Sequence, residues 1–146
     1  MTADYVVRAL TLSDAERIAE LNTQLGYDVG LSEIRTRLAR VQRQAAHHAM
    51  GAEAPQGLVA FIHFFERPSI EKGFDMVVQA LVVDGTLRKA GVGRLLMQHV
   101  EQVARSKGCD AVALSSRAHR QEAHAFYKRL GYELLPASNA FLKRLP

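Results

Sequence analysis

Apolar positions along the chain follow two patterns, a helical spacing of three to four residues and short runs that are almost wholly apolar. The helical spacing predicts helices over residues 13–25, 32–43, 91–107 and 119–130. The runs predict strands over residues 5–10, 44–53, 58–66, 74–83, 111–115, 132–135 and 140–145. The run over residues 74–83 is nearly continuous, which is typical of a central strand covered on both faces.

Polar residues and glycines mark the ends of these elements. Ser13 to Glu16 has the pattern of a capping box at the start of the first helix, and Gly26 is expected to stop that helix. Residues 67–73 are expected to form a loop. With 146 residues, 48% of them hydrophobic, and no linker or repeat, the chain is expected to fold as a single domain over residues 1–146.

The most informative segment follows the central strand, where Arg88-x-x-Gly91-x-Gly93 precedes an amphipathic helix. The start of a helix presents backbone N–H groups without intrahelical partners and a partial positive charge, so it favours phosphate. Glycine lets a phosphate approach the backbone without meeting a Cβ atom. The segment therefore predicts a phosphate-bearing ligand on residues 88–94, and a glycine-relaxed turn before a packing helix is the alternative.

Two better-known glycine loops do not fit this segment. A P-loop requires Lys and then Ser or Thr directly after its last glycine, whereas Arg94 and Leu95 follow Gly93. A dinucleotide fingerprint requires a third glycine three residues after Gly93, where this chain has Leu96. What remains is Arg-x-x-Gly-x-Gly directly after a strand, which fits neither of these two classes.

A second block supports a third class. The glycine turn is preceded by Leu81-Val82-Val83-Asp84, and residues 123–132 contain Phe126-Tyr127-x-x-x-Gly131-Tyr132. In this order the two blocks resemble the acyl-CoA signature and the closing motif of the GNAT family of N-acetyltransferases, over nearly the whole chain. The resemblance implies the acyl-CoA N-acyltransferase (GNAT) fold, an α/β (α+β) architecture with a mixed, mostly antiparallel sheet flanked by helices. It also implies transfer of the acetyl group of acetyl-CoA to a primary amine by direct attack on the thioester.

The resemblance assigns acetyl-CoA to the strand end and the glycine turn. It implies that a backbone N–H of the strand polarises the thioester carbonyl, as an oxyanion donor does, and that amides of the turn bind the pyrophosphate. Arg88, Lys89 and Arg94 can add charge-assisted contacts, with ordinary solvated turn charge as the alternative for each. The implied cofactor-binding residues are Leu81, Val82, Val83, Arg88, Lys89, Ala90, Gly91, Val92, Gly93, Arg94 and Tyr127.

The reaction needs a neutral amine, and therefore a general base or a water chain. Some family members carry a Glu where this chain has Val77, so that base is absent. Asp75, on the same strand face by alternation as Gln79, and Glu66, at the end of the neighbouring strand, are the catalytic candidates. Exposed strand-end carboxylates are the alternative for both. His63 is a weaker candidate, because its apolar neighbours are typical of a packed histidine.

Tyr127 is the candidate general acid. By itself, its place on the apolar stripe of a helix is typical of a core tyrosine. The resemblance implies that it protonates the departing CoA thiolate, since a phenol with a pKa near 10 can donate to a thiolate whose conjugate thiol has a pKa of about 8.5. Many members carry an Asn seven residues before the tyrosine, where this chain has Arg120.

The acceptor is the least determined part of the hypothesis. In this fold the loop between the first two helices helps form the acceptor site, which implies Tyr27 and Asp28 as substrate-binding residues. A small-molecule amine is the favoured acceptor, and a protein or peptide amine is the alternative. A CoA-binding module without turnover is a second class of hypothesis. Nucleic acid is a weaker partner, because the arginines are scattered and not interleaved with aromatic residues.

Composition and net charge bear on the ligand, the cellular compartment and the assembly of the protein. The formal net charge of +4 suits a ligand with phosphates. The single cysteine, Cys109, excludes an internal disulfide and is typical of a cytoplasmic protein, and the sequence shows neither a secretory signal nor a membrane span. Histidine spacing predicts no metal site. A homodimer is a possible assembly, although no exposed stripe compels one.

Overall fold

A computed structural model describes residues 4–87, 90–116 and 121–146, in two compact units, Met1–Ser115 and Ser116–Pro146. The described part of the first unit forms one sheet. Its strands are β1 (Val6–Ala9), β2 (His47–Ala54), β3 (Gly57–Ser69), β4 (Gly73–Val83) and β5 (Ala111–Leu114), in the spatial order β1-β2-β3-β4-β5. All neighbours are antiparallel except β4 and β5, which are parallel. This confirms the predicted mixed, mostly antiparallel sheet, whereas a single domain over residues 1–146 stays a prediction.

Helices cover both faces of the sheet. Side chains of α1 (Ala15–Gln24) and α2 (Leu31–Gln42) share one buried core with Phe61 of β3 and Val82 of β4. On the other face lies α3 (Val92–Lys107), whose His99 meets the buried ring of Phe64 edge-on with the ring centroids 6.3 Å apart. These bounds confirm the predicted helices. None of the described helices is both long enough and apolar enough to cross a lipid bilayer.

The start of α1 differs from the prediction. A short 3-10 turn precedes the helix, and the carboxylate of Asp14 accepts the N–H of Thr11 at 2.8 Å. The capping pair is therefore Thr11 and Asp14, two residues before the predicted box. The reason is Arg8 of β1, which donates to both carboxylate oxygens of Asp14 at 2.8 and 2.9 Å and holds this carboxylate in a buried position.

β3 and β4 form a longer hairpin than the sequence predicts. The pairing continues beyond Phe65 to a tight turn at residues 70–72, so the prediction of a loop over residues 67–73 was wrong for most of its length. Arg67 and Asp75 face each other across the hairpin with an Nη2–Oδ2 distance of 3.3 Å. Pro68 is tolerated there because β2 does not extend alongside this part of β3, so no ladder hydrogen bond is lost.

The second unit consists of α4 (Gln121–Arg129) and an irregular C-terminal segment. The predicted strands over residues 132–135 and 140–145 were wrong, because the structure describes these residues without strand pairing. The apolar pattern can specify a face of a strand but not the neighbouring strand that supplies its hydrogen bonds. Several apolar side chains of this segment are exposed: Leu134, Leu135, Phe141, Leu142 and Leu145.

Candidate active site

Asp84 fixes the turn that follows β4. Its carboxylate accepts the backbone N–H and the hydroxyl of Thr86, both at 3.0 Å, and also a hydrogen bond from the guanidinium of Arg17 on α1. These hydrogen bonds lower the pKa of Asp84 below its ordinary value, and the bond from the Thr86 backbone makes the largest contribution. The amide side chain of Gln24 accepts the N–H of Gly85 at 2.8 Å. Two side chains of α1 thus anchor the start of the glycine turn.

At the end of the glycine turn, the first amides of α3 have no hydrogen-bond partner among the described residues. Gly91 precedes the helix with a φ of +86°, in the left-handed region that favours glycine. The N–H of Leu95 bonds to the carbonyl of Gly91 at 3.0 Å, so the amides of Val92, Gly93 and Arg94 have no intrahelical partner. Among the described residues no side chain caps this end of the helix. The helix start can therefore bind an anion.

The predicted basic residues of the turn are described only in part. Arg88 and Lys89 lie outside the described residues. Ala90 and Arg94 are exposed, and Arg94 lies in the first turn of α3 beside the unpaired amides. Its guanidinium therefore adds positive charge at the end of the helix where an anion would bind.

Next to this turn, in the described part of the first unit, no strand pairs with the edge of β4 that faces β5, and this stretch is called the open edge. β5 pairs with β4 only from Asp75 to Val78, and the described residues beyond this point bond to β3 alone. The separation coincides with an irregularity in β4. His63 of β3 is opposite Ala80 and Phe64 is opposite Val78, so Gln79 is an extra, exposed residue on β4. A bulge of this kind bends a strand and ends its pairing.

The pairing register shows which amides face this open edge. The N–H of Asp84 donates to the carbonyl of Val59 on β3 at 2.9 Å. Backbone groups alternate in direction along a strand, so the N–H of Val82 also points to β3. The N–H groups of Leu81 and Val83 point the other way, to the open edge. Of the three predicted strand residues, two therefore present amides there, and Val82 instead buries its side chain in the core under α1 and α2.

This arrangement can bind an extended ligand that carries both a carbonyl and phosphate. Amides of Leu81 and Val83 can donate to a polar chain laid along the open edge of β4. Amides at the start of α3 can then hold its phosphate, since the strand leads directly into the turn and helix. These donors are backbone groups, so the apolar side chains of the strand do not weaken the site.

The two carboxylates predicted as bases lie on opposite faces of the sheet. Asp75 is opposite Arg67 on β3 and forms an ion pair with it. Glu66 is opposite Met76, and its Oε2 lies 2.7 Å from Nε2 of His48 on β2. Each carboxylate already has a protein partner. Leu81 is six positions after Asp75, which at about 3.3 Å per residue is a distance of about 20 Å in a regular strand.

Tyr127 lies on α4 in the second unit. Its ring packs edge-on against those of Phe126 and Tyr132, with centroid distances of 5.0 and 5.9 Å. Burial raises the pKa of its phenol, so the hydroxyl keeps its proton at neutral pH. Gly131 follows the helix with a φ of +95°, a left-handed conformation that glycine adopts readily. This conformation explains why the closing motif has a glycine at this position.

The predicted acceptor residues lie in the turn between α1 and α2. Tyr27 donates its backbone N–H to the carbonyl of Asn22 at 3.0 Å, and its side chain is about half exposed, at 46%. Asp28 is exposed. Their substrate-binding role stays a prediction.

Sequence reasoning missed Arg17 and Gln24, which fix the turn, and the bulge at Gln79. Arg17 and Asp84 are 67 residues apart in the chain, and no local pattern signals such a contact. The polar Gln79 in an apolar run is the one signal of the bulge that the sequence carries. Among the described residues, no three His, Cys, Asp or Glu side chains form a group that could hold a metal ion.

Known proteins resemble this chain across both units. A family model described as Acetyltransferase (GNAT) family matches residues 14–132. An uncharacterized N-acetyltransferase of Bacillus subtilis is 28% identical over 118 residues, which are 80% of each chain. A glucosamine 6-phosphate N-acetyltransferase of Trypanosoma brucei brucei is 28% identical over 104 residues, 70% of this chain and 65% of the relative.

The fold is shared with solved structures. AAC(6')-Iy, solved with the bisubstrate analogue CoA-S-monomethyl-acetylneamine, aligns with a TM-score of 0.84 over 98% of this chain and 100% of the other, at 17% identity. The match of the family model over most of the chain agrees with the strand, turn and helix described above. This chain is a member of the GNAT family of acetyltransferases.

Proposed function

We propose that this protein transfers the acetyl group of acetyl-CoA to a primary amine of a small molecule. The observation that carries the proposal is the open edge of β4, whose outward amides at Leu81 and Val83 lead directly to the unpaired amides at the start of α3. Backbone amides in this spatial order can donate hydrogen bonds to a ligand in which a thioester is joined to a pyrophosphate.

Each residue along this edge has its own proposed role in binding acetyl-CoA. The N–H of Leu81 donates to the thioester oxygen and stabilises the negative charge that develops as the amine attacks. The amide of Val83 holds the polar chain between thioester and phosphate. The amides of Gly93 and Arg94 bind the pyrophosphate, whereas Val92 is fully buried and supports the helix start from below. Arg88, Lys89 and the side chain of Arg94 add charge. Ala90 and Gly91 shape the turn.

The attacking nitrogen must lose a proton. An alkyl amine with a pKa of about 10.4 is only about 0.1% neutral at pH 7, a cost of roughly 4–5 kcal/mol. Asp75 and Glu66 remain candidates for the base, but both belong to the far part of the β3–β4 hairpin and are engaged by Arg67 and His48. A direct role for either requires a chain of water molecules to Leu81.

The departing thiolate also needs a proton. We assign this step to Tyr127, because its phenol has a raised pKa and remains protonated at neutral pH. As the C–S bond breaks, the phenol proton moves to sulfur, and solvent returns a proton to Tyr127. The assignment rests on the closing motif of the family.

The acceptor class follows from the relatives. The Trypanosoma relative is a glucosamine 6-phosphate N-acetyltransferase, and the bisubstrate analogue in the AAC(6')-Iy structure joins CoA to acetylneamine. We propose that this protein also acetylates a small molecule with an amine group, and that Tyr27 and Asp28 help to bind this molecule. The cytoplasm is the location that we propose.

An acetylation screen tests the proposal. The protein is mixed with acetyl-CoA and one amine at a time, and thiol release is measured together with the mass of the product. The panel is glucosamine 6-phosphate, neamine, a peptide with a free N-terminus and an N-blocked peptide with one lysine. We expect release of CoA and an acetylated product with a small-molecule amine.

The other outcomes of the screen separate the alternatives. Turnover with a peptide alone would contradict the small-molecule assignment and support a protein or peptide acceptor. Acetyl-CoA binding without thiol release from any amine would contradict the enzymatic proposal. The absence of a glutamate at Val77 would then favour a CoA-binding module.

A further inference from the structure

His63 lies on β3, the strand beside β4, close in register to Leu81, whose amide the proposed reaction uses. In the pairing register His63 of β3 is opposite Ala80 of β4, and Ala80 directly precedes Leu81. On its other side His63 is opposite Ala49 of β2. Opposed residues have Cα atoms about 5 Å apart, so the imidazole stands between two methyl side chains with little bulk beside it.

The face of the sheet is also the suitable one. His63 is two residues beyond Phe61 on β3, and Phe61 belongs to the core under α1 and α2. α3, with the amides that bind phosphate, packs on the opposite face. An amine that reaches the thioester from the face away from α3 therefore approaches it on the side of His63.

A second imidazole continues from His63 towards solvent. Nε2 of His63 and Nδ1 of His47 are 2.9 Å apart, so one ring donates a hydrogen bond to the other. The ring of His47 stacks on Phe65, with centroids 4.9 Å apart and an interplanar angle of 14°, which fixes its orientation. His47 is the first residue of β2 and follows residues 44–46, which are exposed.

We propose that His63 and His47 form a proton relay for the attacking amine, an inference that rests on the proposed function. As the amine nitrogen bonds to the carbonyl carbon, its proton passes to Nδ1 of His63. The Nε2 proton of His63 then passes to Nδ1 of His47, and His47 releases a proton from Nε2 to solvent. The C–S bond breaks and the sulfur takes a proton from Tyr127. Water resets the two tautomers, so no other reactant is needed.

The electrostatics of the pair agree with this role. Burial, followed by the charges of His47 and His48, lowers the pKa of His63 to about 4, so its ring is neutral near pH 7 and has a lone pair for a proton. Sharing the proton with His47 means that the positive charge does not stay on the buried ring.

Two charged pairs lie on the described strands around His63. Arg67 of β3 and Asp75 of β4 pair with each other four cross-strand rows away. Glu66 holds His48 on the opposite face.

Substitution of each histidine tests the relay, using the amine of the screen that gives the highest kcat/KM. We expect His63→Gln to lower kcat/KM about 10²-fold at pH 7 and His47→Gln about 10-fold, with the dissociation constant of acetyl-CoA unchanged. The loss should shrink as the pH rises, because hydroxide then replaces the imidazole as proton acceptor. In His63→Ala, added imidazole should restore part of the rate, since Ala49 and Ala80 leave space for it.

His99→Gln is the matched control, because His99 is an imidazole on the opposite face, outside the proposed relay. It should keep the wild-type rate and pH profile. Wild-type rates in His63→Gln and His63→Ala, at every pH and without an effect of imidazole, would overturn the relay. If His63→Gln does not fold, His47→Gln and the imidazole rescue of His63→Ala decide the question. Absence of turnover in the wild-type protein would instead contradict the proposed function.

Discussion

At the scale of single residues, Tyr127 carries the most specific chemical prediction. Burial keeps its phenol protonated, and the proposed step uses that proton on the departing sulfur. We expect Tyr127→Phe to lower kcat about 10²–10⁴-fold while leaving acetyl-CoA affinity near normal, because only the proton donor is lost. Steady-state kinetics and calorimetric titration measure the two quantities.

Tyr132→Phe is the control for this substitution. It removes a hydroxyl from the ring whose centroid lies 5.9 Å from that of Tyr127, while both aromatic rings remain. Its turnover should stay within a few-fold of the wild-type value. Unchanged turnover in Tyr127→Phe would remove the acid role.

The sequence identified motif residues better than it identified their individual tasks. Residue types and spacing predict the glycine turn, whereas the closing motif with Tyr127 is predicted only through the resemblance to the GNAT family. Which amides of β4 face the open edge depends on the register with β3, which is a long-range property. The same register places His63 of β3 opposite Ala80 of β4. It also makes Gln79 a bulged residue, so Gln79 does not follow the alternation of faces that starts at Asp75. Local sequence cannot reveal either result.

At the scale of elements, the start of α3 depends on the backbone of Gly91. A Cβ atom there would meet no atom of the described residues within 4 Å, so within this part of the chain the positive φ is the reason for glycine. We expect Gly91→Ala to lower the free energy of unfolding by about 1–2 kcal/mol, and Gly91→Asn to lower it by less, because asparagine tolerates this conformation better. Denaturant titration measures both changes.

Gly30→Ser is a matched control for Gly91, since Gly30 occupies the same position before α2 with a φ of −65° and open space around it. Serine is a good residue at the start of a helix, so stability should not fall. Equal losses for Gly91→Ala and Gly91→Asn would contradict the conformational explanation.

Helices with strong apolar periodicity could be predicted from the sequence. Strands whose limits depend on the neighbouring strand could not. The helices follow from apolar spacing and from glycines such as Gly26 and Gly108, both of which have positive φ. The β3–β4 hairpin extends further than predicted because Arg67 and Asp75 pair across it. The predicted C-terminal strands failed for the related reason that pairing is not encoded locally.

At the scale of the whole molecule, buried Asp14 links fold stability to pH. The hydrogen bonds of Arg8, and then that of the Thr11 backbone, lower its pKa below the ordinary value. A lowered folded-state pKa gives stability that is present above about pH 4 and is lost as the pH falls through the folded pKa. We expect Asp14→Asn to cost about 2 kcal/mol at pH 7 and much less near pH 2, measured by denaturant unfolding.

Glu33→Gln is the control for this effect, because the Arg37–Glu33 pair is exposed on α2, with side-chain exposures of 59% and 55%. Its cost should be at most about 0.5 kcal/mol. A loss in Asp14→Asn that is the same at pH 7 and pH 2 would show that the charge of Asp14 is not the cause.

The central claim is that β4 and the start of α3 together bind acetyl-CoA, and isothermal titration tests it most directly. We expect a micromolar dissociation constant for the wild-type protein and loss of binding in Gly93→Val, whose side chain would stand among the unpaired amides. Thermal unfolding of both proteins verifies that each is folded. A folded wild-type protein that does not bind acetyl-CoA, or a Gly93→Val variant that binds it normally, would contradict the account.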